Sequence, residues 1–320
     1  MNKLHKLSLI LIITVILAIL LYSLFISLLV NPYIQHHTWK LIDNNCNVYE
    51  QQTVNNTNAV YFIGNSMVMS DINTTQIEKK LLEHNLTYDV YNLGVNFDTP
   101  LQRLIELPKI VESKPEIIII GNSFCCFSNQ SVYVPDDNLA LLSNRIEIDD
   151  YSKSLFSDEQ ISLIDMNEFD RIIFKRKFII PAIRSLVGIR IGGRTTFVNE
   201  SLTYKEKILI AKNPYDAFLA PVFPEDNVQK QSFRYFVSEI EKAGIPILYV
   251  NMPLDPMRSE TIPNSTRINY FNFLNSTGID YIDMEYGYRM EEFSDLVHFN
   301  KYGNSRFSDR ISDIIMEMVN

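Results

Sequence analysis

Cysteine is scarce in this chain, three in 320 residues, which excludes a fold held by a disulfide framework. Cys125 and Cys126 are neighbours that could bridge each other only with strain, and a bond from Cys46 to either would leave an odd thiol. Their spacing offers no zinc site. The His36 and His37 pair has no cysteine or carboxylate at ligand spacing and reads as solvated linker before metal centre. Nothing in the chain calls for a metal or a cofactor. Positive charge is short as well: 29 Lys and Arg face 38 Asp and Glu, for a net charge of -9. That balance repels the nucleic-acid backbone, so no nucleic-acid partner is expected. No Gly-x-Gly-x-x-Gly follows a strand-like run, which sets aside a nucleotide-binding Rossmann domain. Internal repeats and low-complexity tracts are lacking too.

Charge is missing altogether from residues 7–30, LSLILIITVILAILLYSLFISLLV. At 1.5 Å per residue the stretch reaches about 36 Å, enough for a hydrocarbon core of about 30 Å. A cleaved signal peptide would carry an apolar core of only about 7 to 15 residues ending at a small-x-small site, and a buried globular helix would show a polar face. Neither pattern fits, so the expectation is one transmembrane anchor in the lipid bilayer. Lys3 and Lys6 precede it, and no Lys or Arg follows until Lys40. The positive-inside bias therefore keeps residues 1–6 in the cytoplasm and sends everything after residue 30 out of it, with Tyr33 and Trp39 at the interface. Asn-x-Ser/Thr acceptors begin at Asn55, Asn73, Asn85, Asn129, Asn199, Asn264 and Asn275, which accords with an extracytoplasmic glycoprotein.

Residues 31–56 are polar, rich in Asn and Gln and without clean periodicity, and read as a juxtamembrane linker. The pattern then changes. AVYFIG (59–64), YDVYNLG (88–94), EIIIIG (116–121), IPILYV (245–250) and IDYIDM (279–284) are short, apolar and β-branched or aromatic, as strands buried on both faces are. Helical stretches at 74–85, 100–113 and 227–244 alternate with them, the last stopping on Gly244. The alternation predicts a three-layer α/β/α sandwich on a parallel sheet over 57–320, interrupted at about 127–225 by an insertion whose long helical run breaks near Pro181. Ligands on such sheets bind beyond the carboxyl ends of the strands, where Ser66, Gly94 and Asn122 fall.

Ser66 and Ser70 also read as helix N-caps, and Gly64 as a turn residue. The far end of the chain weighs against that as the whole account. FSDLVHFNKYGNSRFSDRI holds Asp295 and His298 three apart, close enough in a turn to share one side. A serine alcohol needs a base beside it, and an imidazole base needs an acceptor that fixes its tautomer. With serine after the first strand and Asp-x-x-His after the last, the chain resembles the SGNH or GDSL-type hydrolase superfamily. Its first block is matched by Gly64-Asn65-Ser66, with Asn65 where the family has aspartate, and its last by Asp295 and His298.

That resemblance implies a flavodoxin-like SGNH fold and a Ser66, His298, Asp295 triad. It also implies an oxyanion hole from the N–H of Ser66, the N–H of Gly94 in YNLGVN, and a side chain of the third block. The third block usually reads Gly-x-Asn-Asp; GNSFCC puts Asn122 directly after Gly121 and Ser123 in the asparagine position, so the third donor is Asn122, Ser123 or neither. With its anchor and YNLGVNFDTPLQRL, the chain looks closer to the membrane-tethered branch similar to teichoic-acid alanine-transfer and polysaccharide O-acetyl-transfer proteins. The implied activity is an extracytoplasmic serine esterase or O-acyltransferase working on acyl esters of envelope glycans or lipids at the cell membrane. The alternative is a non-catalytic protein of the same fold that binds envelope glycan or a membrane-embedded acyl-transfer partner.

One stretch stands apart. Arg171, Lys175, Arg176, Lys177, Arg184, Arg190 and Arg194 interleave with apolar residues inside the insertion. Two readings are open: a helix lying on a lipid surface, or an insertion helix packed on the domain with a solvated basic face.

Overall fold

The computed structural model describes residues 3–33, 40–96, 98–127, 139–140, 148–186, 201–211 and 223–319. His36, His37, Trp39, Asn129, Asn199, Arg190 and Arg194 lie outside the described residues. The chain divides into two units, Met1–Asn44 with Asp165–Gly193, and Asn45–Ile164 with Arg194–Asn320. Part of the expected insertion thus groups with the apolar N-terminal segment and not with the α/β domain.

In the first unit, helix Lys3–Phe25 runs on through a π-helical stretch, Ile26–Val30. Ser8–Tyr33, 26 residues, is by length and composition apolar enough to cross a membrane. Most of its large side chains are exposed, whereas Ile26 and Val30 are buried. The insertion contributes helix Glu168–Phe174, a 3-10 turn Lys175–Phe178 and helix Ile179–Leu186. The turn and the second helix pack on Ile26–Val30. Pro181 does not break this run. It sits in the first turn of Ile179–Leu186, where a missing N–H costs nothing, and the break falls at Lys175–Phe178 instead.

The second unit is built on a five-stranded sheet: β1 (Ala59–Gly64), β2 (Asp89–Asn92), β3 (Ile117–Asn122), β4 (Ile247–Asn251) and β5 (Asp280–Asp283). The strand order is β2-β1-β3-β4-β5 and every pairing is parallel. This is the flavodoxin-like order, with its switch point between β1 and β3. Every residue of those two strands is buried, as the continuous apolar runs predicted. Helices cover both faces. Thr74–Glu83 packs on Lys301–Val319, while Val228–Lys242 packs on Pro100–Arg103 and Leu107–Ser113, the division that right-handed crossovers impose. Asn227 caps Val228–Lys242 by accepting from Lys230 N–H, and Gly244, at φ +73°, follows its end.

Much of the expected linker, 31–56, is helical. Lys40–Asn55 is a helix, and Asn45, Cys46, Tyr49 and Gln52 fall on one buried face. That face is largely polar, so it left no apolar periodicity to read. Its partners are buried charges: Tyr49 donates to Glu106 Oε2 at 2.6 Å, and Arg103 joins Glu106 and Asp98 at 3.0 and 2.6 Å. None of the three cysteines is in a disulfide, and all are buried. Of the glycan acceptors, Asn55, Asn73, Asn85, Asn264 and Asn275 are exposed.

Candidate active site

The switch point is crowded by glycines for a steric reason. Gly64 and Gly121 are register partners at the ends of β1 and β3. A Cβ on Gly64 would lie 2.1 Å from Gly121 O, and one on Gly121 would lie 2.5 Å from Val68 Cγ2. Their absence lets helix Ser66–Asp71 fold down directly onto the sheet. The cap of that helix is Asn65, whose Oδ1 accepts from Met67 N–H at 2.9 Å. Ser66 is therefore free of the capping duty the sequence suggested for it. It takes the first helical position, where backbone N–H groups have no intrahelical acceptor.

Asp295 and His298 sit in the loop before helix Lys301–Val319, not in its first turn. Phe293 and Phe299 close the loop as an antiparallel bridge, and Ser294 N–H donates to His298 O at 2.8 Å. Asp295 Oδ1 accepts from the backbone N–H of Val297 and of His298, both at 2.8 Å. Its Oδ2 is left facing the ring, 2.8 Å from His298 Nδ1. His298 Nε2 lies 2.9 Å from Ser66 Oγ across 232 positions of sequence. Serine, histidine and aspartate thus form one hydrogen-bonded line.

Electrostatics follow this geometry. Burial works against the imidazolium, but the hydrogen bond and charge of Asp295, with Asp71 behind, hold the His298 pKa above its usual value. Burial likewise raises the Asp295 carboxyl, but His298 and the two backbone N–H groups outweigh it and bring it below the usual range. Asp71 is fully buried, and burial pushes it up to about 8 despite His298 and the N–H of Phe299. Its Oδ1 accepts from Phe299 N–H at 2.9 Å, and its Oδ2 has no hydrogen-bond partner among the described residues. Asp71 therefore braces the residue after His298 from the helix that carries Ser66. Sequence reading missed it; an acid closing a short helix gave no sign that it faces the opposite end of the chain.

A second brace comes from the end of the insertion. Lys207, buried, reaches Asp255 Oδ2 at 2.8 Å and the carbonyls of Met290 and Phe293 at 2.9 and 3.1 Å. Leu202 N–H donates to Ser294 O at 2.7 Å. Tyr288, Phe293, Phe299 and Phe307 pack beneath the loop.

The expected oxyanion donors fare differently. The Gly94 N–H donates to Asn92 Oδ1 at 3.1 Å. What demands glycine there is close packing, since a Cβ would come within 2.4 Å of Met69 N. Ser123 is fully buried, with Oγ 2.9 Å from Cys125 Sγ. Asn122 is oriented by Cys126, whose thiol donates to its Oδ1 at 3.1 Å and accepts from Asn65 Nδ2 at 3.2 Å. With its carbonyl held, the Asn122 amide presents Nδ2 as a donor. The same network explains Asn65, because an aspartate could cap the helix but could not donate to the thiol. Asn122 also lines a small cleft with Ile63, Ile120, Phe233 and Phe236 on one side and the Asp98, Arg103 ion pair on the other.

No protein-family profile matches this sequence, and no curated protein does. Solved structures do. A GDSL-like lipase from Bacteroides thetaiotaomicron is 10% identical over 86% of this chain and 98% of its own, with a TM-score of 0.39. TesA is 12% identical over 79% and 95%, with a TM-score of 0.36. Est24, a carbohydrate acetylesterase from Sinorhizobium meliloti, is 10% identical over 81% and 99%, also with a TM-score of 0.36. These are distant likenesses, and the chemistry rests on the side chains themselves.

Proposed function

We propose that this chain is a membrane-anchored serine esterase or O-acyltransferase that works on acyl esters of envelope glycans or lipids. The observation that carries the reading is the continuous contact from Ser66 Oγ through His298 Nε2 and Nδ1 to Asp295 Oδ2, at 2.9 and 2.8 Å. Ser66 Oγ attacks the ester carbonyl while His298 Nε2 takes its proton, and Asp295 holds the ring in the Nδ1–H tautomer and stabilises the imidazolium. The Ser66 N–H and Asn122 Nδ2 receive the charge developing on the carbonyl oxygen. His298 then protonates the departing alkoxide, leaving an acyl-serine. In the second half-reaction His298 removes a proton from the acceptor, whose oxygen attacks the acyl carbonyl, and Ser66 leaves with that proton.

Water as acceptor makes the reaction hydrolysis; a sugar or polyol hydroxyl makes it transfer. The anchor reading is supported by Ser8–Tyr33 and by Lys3 and Lys6 before it, which orient the α/β domain away from the cytoplasm, toward glycans and lipids. The test uses the full chain in detergent with a nitrophenyl acetate and a serine-directed fluorophosphonate, beside Ser66→Ala. Turnover and labelling that both vanish in the variant are the expected result. A folded protein that neither turns over nor labels refutes catalysis and leaves a binding role.

A further inference from the structure

The basic stretch of the insertion finds its neighbours in the first unit. Lys175–Phe178 and Ile179–Leu186 pack on Ile26–Val30, the last turns of the apolar N-terminal helix, and Tyr22 OH approaches Ile172 O at 3.5 Å. Phe178 and Ala182 are buried on that side. A second apolar face stays open: Phe169 is 63% exposed, Ile180 62% and Leu186 73%, with Ile173 and Ile183 between them. Residues 168–186 carry five cations against two carboxylates. Arg176, Lys177 and Arg184 are exposed, and the Lys177 ammonium lies 3.8 Å from the Phe174 ring centre, its stem laid along apolar surface.

Apolar side chains left exposed beside a packed apolar face, among the described residues, need another apolar medium. Ile179–Leu186, which carries Ile180, Ile183 and Leu186, packs on Ile26–Val30, near the distal end of Ser8–Tyr33, where a spanning helix leaves the hydrocarbon. Cations at that level meet phosphate headgroups, and in-plane helices bury their apolar side only about 5–10 Å into the boundary. We infer that Glu168–Leu186 is an in-plane element of the membrane interface, docked on the anchor, with Phe169, Ile173, Ile180, Ile183 and Leu186 among acyl chains and Lys175, Arg176, Lys177 and Arg184 on anionic headgroups. The charge complementarity and the packing on the last turns of the apolar N-terminal helix commit the face to an anionic bilayer as its occupant. The inference rests on reading Ser8–Tyr33 as a membrane anchor.

The test is depth-dependent fluorescence on the full chain in nanodiscs of phosphatidylcholine, with and without phosphatidylglycerol. Trp39, the one native tryptophan, is replaced (Trp39→Phe), and single probes are placed by Phe169→Trp, Leu186→Trp or, within the anchor, Leu17→Trp. All three probes should lose emission to brominated lipid and resist aqueous iodide. For the two insertion probes the loss should deepen with phosphatidylglycerol. That deepening should disappear when Lys175, Arg176, Lys177 and Arg184 are all changed to Gln. If Leu17→Trp is quenched by lipid while the insertion probes are quenched by iodide, or by neither agent because protein covers them, the inference is overturned and the anchor stands. An insensitive Leu17→Trp overturns both. Lipid quenching that is indifferent to phosphatidylglycerol overturns the anionic assignment.

Discussion

Replacing Asp295 with asparagine probes the relay at its most constrained point. In the native loop Oδ1 is taken by two backbone N–H groups at 2.8 Å each, and Oδ2 alone faces His298 Nδ1. An asparagine keeps the two backbone bonds only by presenting its NH2 to the ring. Two donors then oppose each other, and the imidazole must move its proton to Nε2, the atom that has to accept from Ser66. Turning the amide over to recover the tautomer would strand the two backbone donors, at about 1–3 kcal/mol each. The variant also loses the charge that supports the imidazolium, worth about 1.5–3 kcal/mol as a charged hydrogen bond. Together these come to about 3.5–9 kcal/mol; the lower part of that range, about 4–5.5 kcal/mol on the barrier, is a fall of about 10^3 to 10^4 in kcat, the loss expected. The assay is nitrophenyl acetate turnover, with kcat and KM separated, from pH 5 to 9 beside Ser66→Ala, and a thermal melt. KM and the melt should move little, because the loop keeps both backbone bonds. A loss under about tenfold with the pH profile intact would refute the argument that Asp295 sets the tautomer.

The pH profile itself is a second expectation: His298 must be neutral to accept a proton and its pKa lies above the usual value, so kcat/KM should reach half its maximum above pH 6.5. Stability should bend the other way. The share from the raised His298 is complete below its unfolded pKa and is lost as pH rises through the folded one. Asp71, at about 8 when folded, binds a proton that the unfolded chain releases, so its share also falls from about pH 4 to 8. Asp71→Asn keeps an acceptor for Phe299 N–H and should flatten that slope in urea melts at pH 5 and 8. Asn122→Ala should lower kcat by about 10^2 to 10^3 with KM little changed, whereas Ser123→Ala, behind Cys125, should leave kcat near wild type; equal effects would contradict the donor assignment. Lys207→Met should cost about 3–5 kcal/mol in denaturant titrations, because Asp255 would be buried without a counter-charge.

The sequence by itself determined the features written in short, contiguous patterns. The uncharged run of residues 7–30 dictates an apolar helix. The runs at 59–64 and 116–121 dictate strands buried on both faces, and their alternation with amphipathic helices dictates a parallel sheet. Strand ends mark the ligand edge of such a sheet, so Ser66 and the Asp295, His298 pair were legible before any coordinate. The helix Lys40–Asn55 was not, because its buried face is satisfied by Glu106 through hydrogen bonds and has no apolar period. A glycine after a strand serves as an N–H donor or as a gap for close packing, and only the position of Met69 shows that Gly94 is required for the second. Ser123 and Asn122 differ by one position in the chain but by full burial against a held, donor-presenting amide in the fold. Asp71, Cys126 and Lys207 matter through what they face, and a side chain's neighbours across more than a hundred residues are fixed by packing, not by local spacing. Tertiary structure alone also decided that residues 168–186 lie against the N-terminal helix: amphipathic periodicity says that a face seeks cover, and only the coordinates say which one has found it.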